Sequence, residues 1–359
     1  MKLIKPPLNH KNFEIARISR GLSQKELAIK LQVEQSTISK IEKGLSKIKE
    51  ELLEKYCFSL DYPPSFFSEN INILSPYLIY FRKRKVMSTL ELDTIQCKLF
   101  INKHWVKKLL KSVDIKNSVP FVDINKGNPK DIAKFIRNTW NIPRGRIDNL
   151  THHIEKSGIV ILLTDGNEKF DGEILPDEDG LPVICINKKL SGDRQRFTLA
   201  HELGHLVMHT DIYQDDLVRA EKEANEFASE FLMPERDIYA HLQEKLTIQR
   251  LADLKSYWKV SMSSIIMRAY HLGVINKAKY TSMQVQLSQA GYRKKEPDLG
   301  VLPEQPQLVG KLISLHLNEL GFSKQNLATM LSLSLVELEF LIKMYNGERT
   351  LKILRNYQP

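Results

Sequence analysis

Cysteine is scarce in this chain: three in 359 residues, at Cys57, Cys97 and Cys185. So few thiols, so far apart, build neither a disulfide framework nor a Cys-based zinc site, which points to a reducing compartment. Long apolar runs are missing as well. No stretch approaches the roughly 18–20 apolar residues of a membrane span, and Met1-Lys2-Leu3-Ile4-Lys5-Pro6-Pro7 lacks the apolar core of a signal peptide. The expectation is a cytoplasmic protein with no membrane partner. Acidic residues run short in one place. Residues 71–120 hold three Asp/Glu against ten Lys/Arg, and residues 1–70 hold nine against twelve, so the net charge of +10 belongs entirely to the first 120 residues. A positive field confined to one end favours a polyanionic partner there.

What is present begins with short helical stretches over residues 12–60. Ser23 and Glu26 stand at the spacing of a capping box, and Leu27, Ala28 and Leu31 give the helix that follows one apolar face. A second helix is predicted from about Gln35 to Lys43, with Ile38 and Ile41 inward and Gly44 as its stop. Its outward residues, Gln35, Ser36, Thr37, Ser39 and Lys40, are mostly short or amide-bearing, which suits base edges and phosphates in a major groove. The run from Leu22 to Gly44 resembles the Cro/repressor-type (XRE) helix-turn-helix family. That resemblance implies DNA contacts at Gln35, Ser36, Thr37, Ser39 and Lys40, a phosphate contact at Gln24, and double-stranded DNA as a partner. Beyond it lie Phe81-Arg82-Lys83-Arg84-Lys85 and a helical stretch with Lys98, Lys103, Lys107, Lys108 and Lys111. This stretch reads either as an extension of the phosphate-binding surface or as a solvated connector.

The densest chemistry is His201-Glu202-Leu203-Gly204-His205, inside a helix predicted from Phe197 to His209. Residues four apart share a helical face, so two imidazoles can grip one metal ion. The glutamate between them can serve as a base for the attacking water. A hydrolytic zinc site needs a third protein ligand. A metzincin pattern fails, because Met208 and Asp211 stand where glycine and histidine would be required. His209 is a full turn beyond His205, and reads as a site-edge or solvent-facing residue. The helix Glu221–Pro234 buries Ala224, Phe227, Ala228, Phe231 and Leu232. At about 100° per residue, Glu221 lies about 60° from the centre of that face and Glu223 about 100° away. Glu221 is the expected third ligand, with Asn225 placed to orient a ligand histidine and Glu223 as the alternative. Upstream, residues 132–136 and 150–155 read as helical and residues 158–163 as a buried strand. Residues 171–186 read as strand-turn-strand.

Residues from about 130 to 275 resemble the ImmA/IrrE family of zinc metallopeptidases. The resemblance lies in Trp140–Leu150 (WNIPRGRIDNL), Arg196–His209 (RFTLAHELGHLVMH) and Glu221–Pro234 (EKEANEFASEFLMP). It implies one zinc ion on His201, His205 and Glu221, with Glu202 as catalytic base. It also implies a gluzincin-like endopeptidase acting on a repressor or antitoxin-like protein in a stress or mobile-element response. His152, His153, His209 and Tyr213 are open candidates for the oxyanion donor. The competing expectation is a transcription factor whose zinc site is structural or sensory.

An internal echo appears at an offset of 300. Gly321, Ser323, Leu327, Ala328 and Leu331 repeat Gly21, Ser23, Leu27, Ala28 and Leu31, with Leu338 and Leu341 in place of Ile38 and Ile41. Leu335, Val336, Glu337 and Glu339 stand at the outward positions, which suits protein contact or a lid better than phosphate. The expected fold is α+β and predominantly helical. It comprises an all-α helix-turn-helix domain at 1–70 and a basic helical connector at 71–120. A zincin-like metallopeptidase domain with a small β-sheet follows at 121–280. A Gln- and Pro-rich linker or extended loop (Tyr280 to Pro306) and a helical, helix-turn-helix-like C-terminal domain fill 281–359. A homodimer is compatible with this organisation.

Overall fold

The computed structural model describes residues 7–71, 88–113, 127–166, 169–175, 180–209, 217–293 and 295–346. The described residues fall into two compact units. One gathers those of Met1–Ile73, Met87–Asp114 and Gln307–Pro359, the other those of Ile115–Pro306. Among them, no helix is long and apolar enough to cross a membrane. The basic run 81–85, Tyr213 and Asp211 lie outside the described residues.

The first unit opens with α1 (His10–Ser19), α2 (Gln24–Leu31), α3 (Gln35–Glu42) and α4 (Glu50–Leu60). The capping box at Ser23 and Glu26 forms as its spacing requires, each side chain bonding the other's backbone N–H. Leu27, Leu31, Ile38 and Ile41 close the core with Phe13, whose ring stacks on Phe67 at 4.5 Å. Beneath it, Arg17 grips Glu42 with two hydrogen bonds of 2.6 and 2.8 Å. The next helix, α5 (Thr89–Leu110), is no solvated connector. It buries Cys97, Leu99, Phe100, Ile101, Trp105, Val106 and Leu109 and packs on α1. Two of its lysines are also lost to phosphate: Lys103 is buried, and Lys108 is ion-paired with Glu69.

The second unit runs α6 (Pro129–Thr139), α7 (Leu150–Lys156), β1 (Val160–Thr164), β2 (Gly172–Leu175) and β3 (Val183–Asn187). Next come α8 (Gly192–Met208), α9 (Leu217–Leu232), α10 (Glu235–Leu242), α11 (Ile248–Trp258), α12 (Met262–His271) and α13 (Lys277–Gln289). The three strands lie in the order β1-β3-β2. Val160 pairs parallel with Val183, and Gly172 pairs antiparallel with Ile186. β1 and β3 are buried at every residue, which explains their apolar runs Val160–Leu163 and Val183–Ile186. β2 lies against α8: a side chain at Gly172 would come within 2.8 Å of Thr198 Cγ2 and of the Cys185 carbonyl. Gly204 does the same for α9: a Cβ added there would lie 3.0 Å from the Phe227 ring. These two close approaches fix the helix that carries the histidines between the edge strand and the helix that carries Glu221.

The span from Tyr280 to Pro306, expected as a linker or extended loop, is helix in its first part. The described residues after the helix form a strap held by two carboxylates. Glu296 accepts from Lys255 Nζ at 3.0 Å and from the N–H groups of Met262 and Ser263, while Lys255 also binds Asp193 at 2.6 Å. Glu304 pairs with the buried Arg196 and accepts from Thr151 N at 2.8 Å. Glutamates that look solvated in a Gln/Pro-rich sequence are here counterions for buried cations.

The chain then rejoins the first unit as α14 (Leu308–Ser314), a π-helical turn (Leu315–Glu319), α15 (Lys324–Leu331) and α16 (Leu335–Asn346). The echo holds residue by residue. Gly21 and Gly321 have φ of 69° and 70°, Ser23 and Ser323 both cap, and Gln32 and Ser332 both end their helices with φ of 57°. Leu327, Ala328, Leu331, Leu338 and Leu341 are buried as their counterparts are. Glu337, expected to face outward, instead pairs with Arg20 at 3.4 Å, and Ser334 donates to Asp61 at 3.0 Å. Lys108 donates to the Met330 carbonyl and to Ser332. The start of α16 is therefore a brace on the first helix-turn-helix, not a second reading head.

Candidate metal centre

His201, Glu202 and His205 in α8 and His209 at its C-cap are all buried, the last 1% exposed. The four-residue spacing sets the His201 and His205 imidazoles on one helical face, their rings edge to face with centroids 4.7 Å apart. His201 Nε2 and His205 Nε2 lie 3.0 Å apart, and Glu221 on α9 brings Oε1 to 3.2 Å from His205 Nε2 and Oε2 to 3.6 Å from His201 Nε2. One donor atom from each of these residues falls within 4.8 Å of the others. Ligands about 2.0–2.1 Å from a tetrahedral cation would be about 3.3 Å apart. The observed separations fit that arrangement. Two imidazole nitrogens and one carboxylate are also the donor types a zinc-like cation takes.

The rings are held from behind. His201 Nδ1 lies 3.1 Å from Asn225 Oδ1, the orienting contact expected for Asn225. His205 Nδ1 lies 3.0 Å from His209 Nδ1, and His209 Nε2 lies 3.0 Å from Glu223 Oε2. Burial is the main cause that pushes the His209 imidazole down to about 4. Of the two expectations for His209, the solvent-facing one fails and the site-edge one describes its place: outside the three donors, it lies directly behind one of them. Glu223 sits outside the cluster and also accepts from Arg219 at 2.7 Å. His152 is exposed and His153 half-buried on α7, their rings 5.8 Å apart and outside the cluster.

One acidic residue escaped the sequence reading. Glu173 on β2 is buried, and its Oε1 has no hydrogen-bond partner among the described residues. Desolvation first, and the nearby Glu202 charge second, push its carboxyl up to about 8. The signal was available: in the alternating strand Gly172-Glu173-Ile174-Leu175, Glu173 shares the inward parity of Leu175. A consequence for stability follows. From the ordinary 4.5 up to about 8 the folded chain holds a proton that the unfolded chain has released. The contribution is therefore full at low pH and lost as pH rises through about 8. In metal-free protein, melting temperature should decline from pH 5 to pH 9, and Glu173→Gln should flatten that decline. An equal slope in both proteins would refute the protonated Glu173.

In the first unit, α3 presents Gln35, Ser36 and Lys40 exposed, with Thr37 and Ser39 partly so. Gln24 is less free than expected, because its amide nitrogen donates to Glu42 Oε2 at 2.8 Å.

Comparison with known proteins finds two family matches along the chain. Residues 154–270 match the family model of the IrrE N-terminal-like domain, a peptidase family, and residues 14–67 match the helix-turn-helix model. The chain carries an IrrE N-terminal-like domain and a helix-turn-helix domain. The IrrE-like match spans β1 to β3, α8 and α9, and so contains every residue of the donor cluster. A curated relative, the radiation response metalloprotease IrrE of Deinococcus radiodurans, is 35% identical over 112 residues. The alignment covers 27% of this chain and 32% of that protein, so the chain spans about a third of its relative's length. Among solved structures, Bacillus thuringiensis PlcR in complex with the peptide PapR7 and DNA aligns over 94% of this chain and 96% of its own, at 13% identity. Its TM-score of 0.18 is too low to bear on the fold.

Proposed function

We propose that the chain is a DNA-binding transcriptional regulator with a zinc-dependent endopeptidase domain, whose substrate is a repressor or antitoxin-like protein in a stress or mobile-element response. The observation that carries the reading is the convergence of His201, His205 and Glu221 beside the buried Glu202 of the same helix. A structural zinc site is closed by four protein ligands, whereas three with an open position mark a hydrolytic one. Three are found here among the described residues. A zinc ion held there supplies Lewis acidity towards water and the peptide carbonyl. Glu202 takes the proton of the attacking water and delivers it to the leaving amine. Asn225 keeps His201 in register, and the apolar residues of α8 pack beside the buried histidines. The match to a peptidase family and the similarity to a metalloprotease support this reading.

The polar, exposed face of α3 supports double-stranded DNA as the partner of the first unit. Lys40→Ala should weaken binding evenly across sequences and lower the salt slope of the association constant by about one. Ser36→Ala should instead change sequence preference with little effect on that slope. Titrations of operator and random duplexes at several salt concentrations separate the two. An unchanged Lys40→Ala slope would place α3 away from the backbone. The peptidase half is tested by comparing cellular proteins in the presence of wild type and Glu202→Gln, looking for a fragment only the former produces.

A further inference from the structure

His205 faces two ways. Its Nε2 lies among the three donors, while its Nδ1 meets His209 Nδ1 at 3.0 Å; His209 Nε2 in turn meets Glu223 Oε2 at 3.0 Å. Only one proton fits between two nitrogens at hydrogen-bond distance. If His209 supplied it, His209 Nε2 would turn a lone pair on the Glu223 carboxylate. His205 would then carry its own proton on Nε2, where a cation must bind. If His205 supplies it, His205 Nδ1 donates to His209, His209 Nε2 donates to Glu223, and His205 Nε2 is left as a lone pair. The carboxylate thereby selects the tautomer of a histidine it does not touch.

We propose that His209 and Glu223 form a positioning relay that holds His205 in its Nδ1–H tautomer and so frees Nε2 to ligate the cation. The relay rests on the reading of His201, His205 and Glu221 as metal ligands. It takes Glu223 out of the ligand set and gives it a different task. At His201 the matching task falls to an amide, since Asn225 Oδ1 accepts from His201 Nδ1 at 3.1 Å when that histidine binds through Nε2. An amide oxygen accepts without any partner behind it, whereas an imidazole must be told which nitrogen to leave bare. That difference supplies the test.

Zinc affinity of the full chain is measured by competition with a chromophoric chelator, for wild type, His209→Ala, His209→Asn, Glu223→Leu and the His209→Asn/Glu223→Leu pair. In His209→Asn the carbonyl oxygen is attached to Cγ, as Nδ1 is in histidine, so it can accept from His205 without Glu223. Expected are losses of about 10- to 100-fold for His209→Ala and Glu223→Leu. His209→Asn should lose less than about fivefold, and Glu223→Leu should add little once His209→Asn is present. Long-range 15N spectra of the zinc-loaded wild type should show His205 protonated on Nδ1 and His209 on Nε2. The relay is overturned if His209→Asn binds as poorly as His209→Ala, or if Glu223→Leu costs the same in both backgrounds. Should His209→Ala fail to fold, the two Glu223→Leu comparisons decide. Glu221→Gln is the separate control: unchanged zinc affinity there defeats the ligand reading itself, whereas a failed relay leaves the Glu221→Gln loss in place.

Discussion

Glu202→Gln is expected to lower turnover of a cleavable substrate by about 10²- to 10⁴-fold, the range associated with losing a positioned general base. That is a barrier increase of about 3–5 kcal/mol. The amide keeps the size of the carboxylate but cannot take up a proton. Glu202 is not one of the three converging donors, so zinc stoichiometry should stay at one per chain and the melting temperature should hold. DNA binding should hold as well, since α3 belongs to the other compact unit. Single-turnover cleavage, metal content and duplex titration on the same preparation check all three. If Glu202→Gln leaves the regulatory output untouched while Lys40→Ala abolishes it, the proteolytic reading fails. The zinc site would then be structural or sensory.

The donor set was legible because its geometry is local. Four-residue spacing puts His201 above His205 in any helix, and the angular position of Glu221 on its own helix points it inward. The first helix-turn-helix was legible for the same reason, as was its echo 300 residues later. What could not be read depends on the register between elements. Strand parity turns Glu173 inward, but its nearness to Glu202 depends on β2 lying on α8 at Gly172 and Thr198, and no local pattern states which strand meets which helix. His209 and Glu223 meet across the gap between α8 and α9, so that His209 reads as a site-edge or solvent-facing residue until both helices are placed. Charge counting fails in a related way. It cannot tell that Lys103 is buried, that Lys108 is spent on Glu69, or that Glu296 and Glu304 anchor a strap. Lys108, Glu296 and Glu304 find their partners far along the chain, and composition carries no such information.

Arg268→Ala is the substitution expected to cost most in stability. Arg268 on α12 and Glu230 on α9 are both 1% exposed and form a direct ion pair. Arg268 Nε also donates to the Met233 carbonyl at 3.1 Å, and Glu230 Oε1 accepts from Glu235 N at 3.2 Å, so the pair ties the end of α9 to α12. Removing the guanidinium leaves a carboxylate buried without its counterion. Breaking such a pair from one side typically costs about 3–5 kcal/mol, most of it the penalty on the stranded charge. If that penalty dominates, adding Glu230→Gln to Arg268→Ala should recover more than half of the loss, since the neutral amide needs no counterion. Urea unfolding of the four proteins in this cycle gives the coupling. A loss below about 1 kcal/mol for Arg268→Ala would mean the pair is solvated. Failure of Glu230→Gln to recover stability would move the cost to the Met233 hydrogen bond and to the cavity. The same cycle reaches the metal centre, because Glu221 and Asn225 ride on the helix that Glu230 anchors. Zinc affinity should fall with Arg268→Ala and return with the second substitution, in step with the stability of α9.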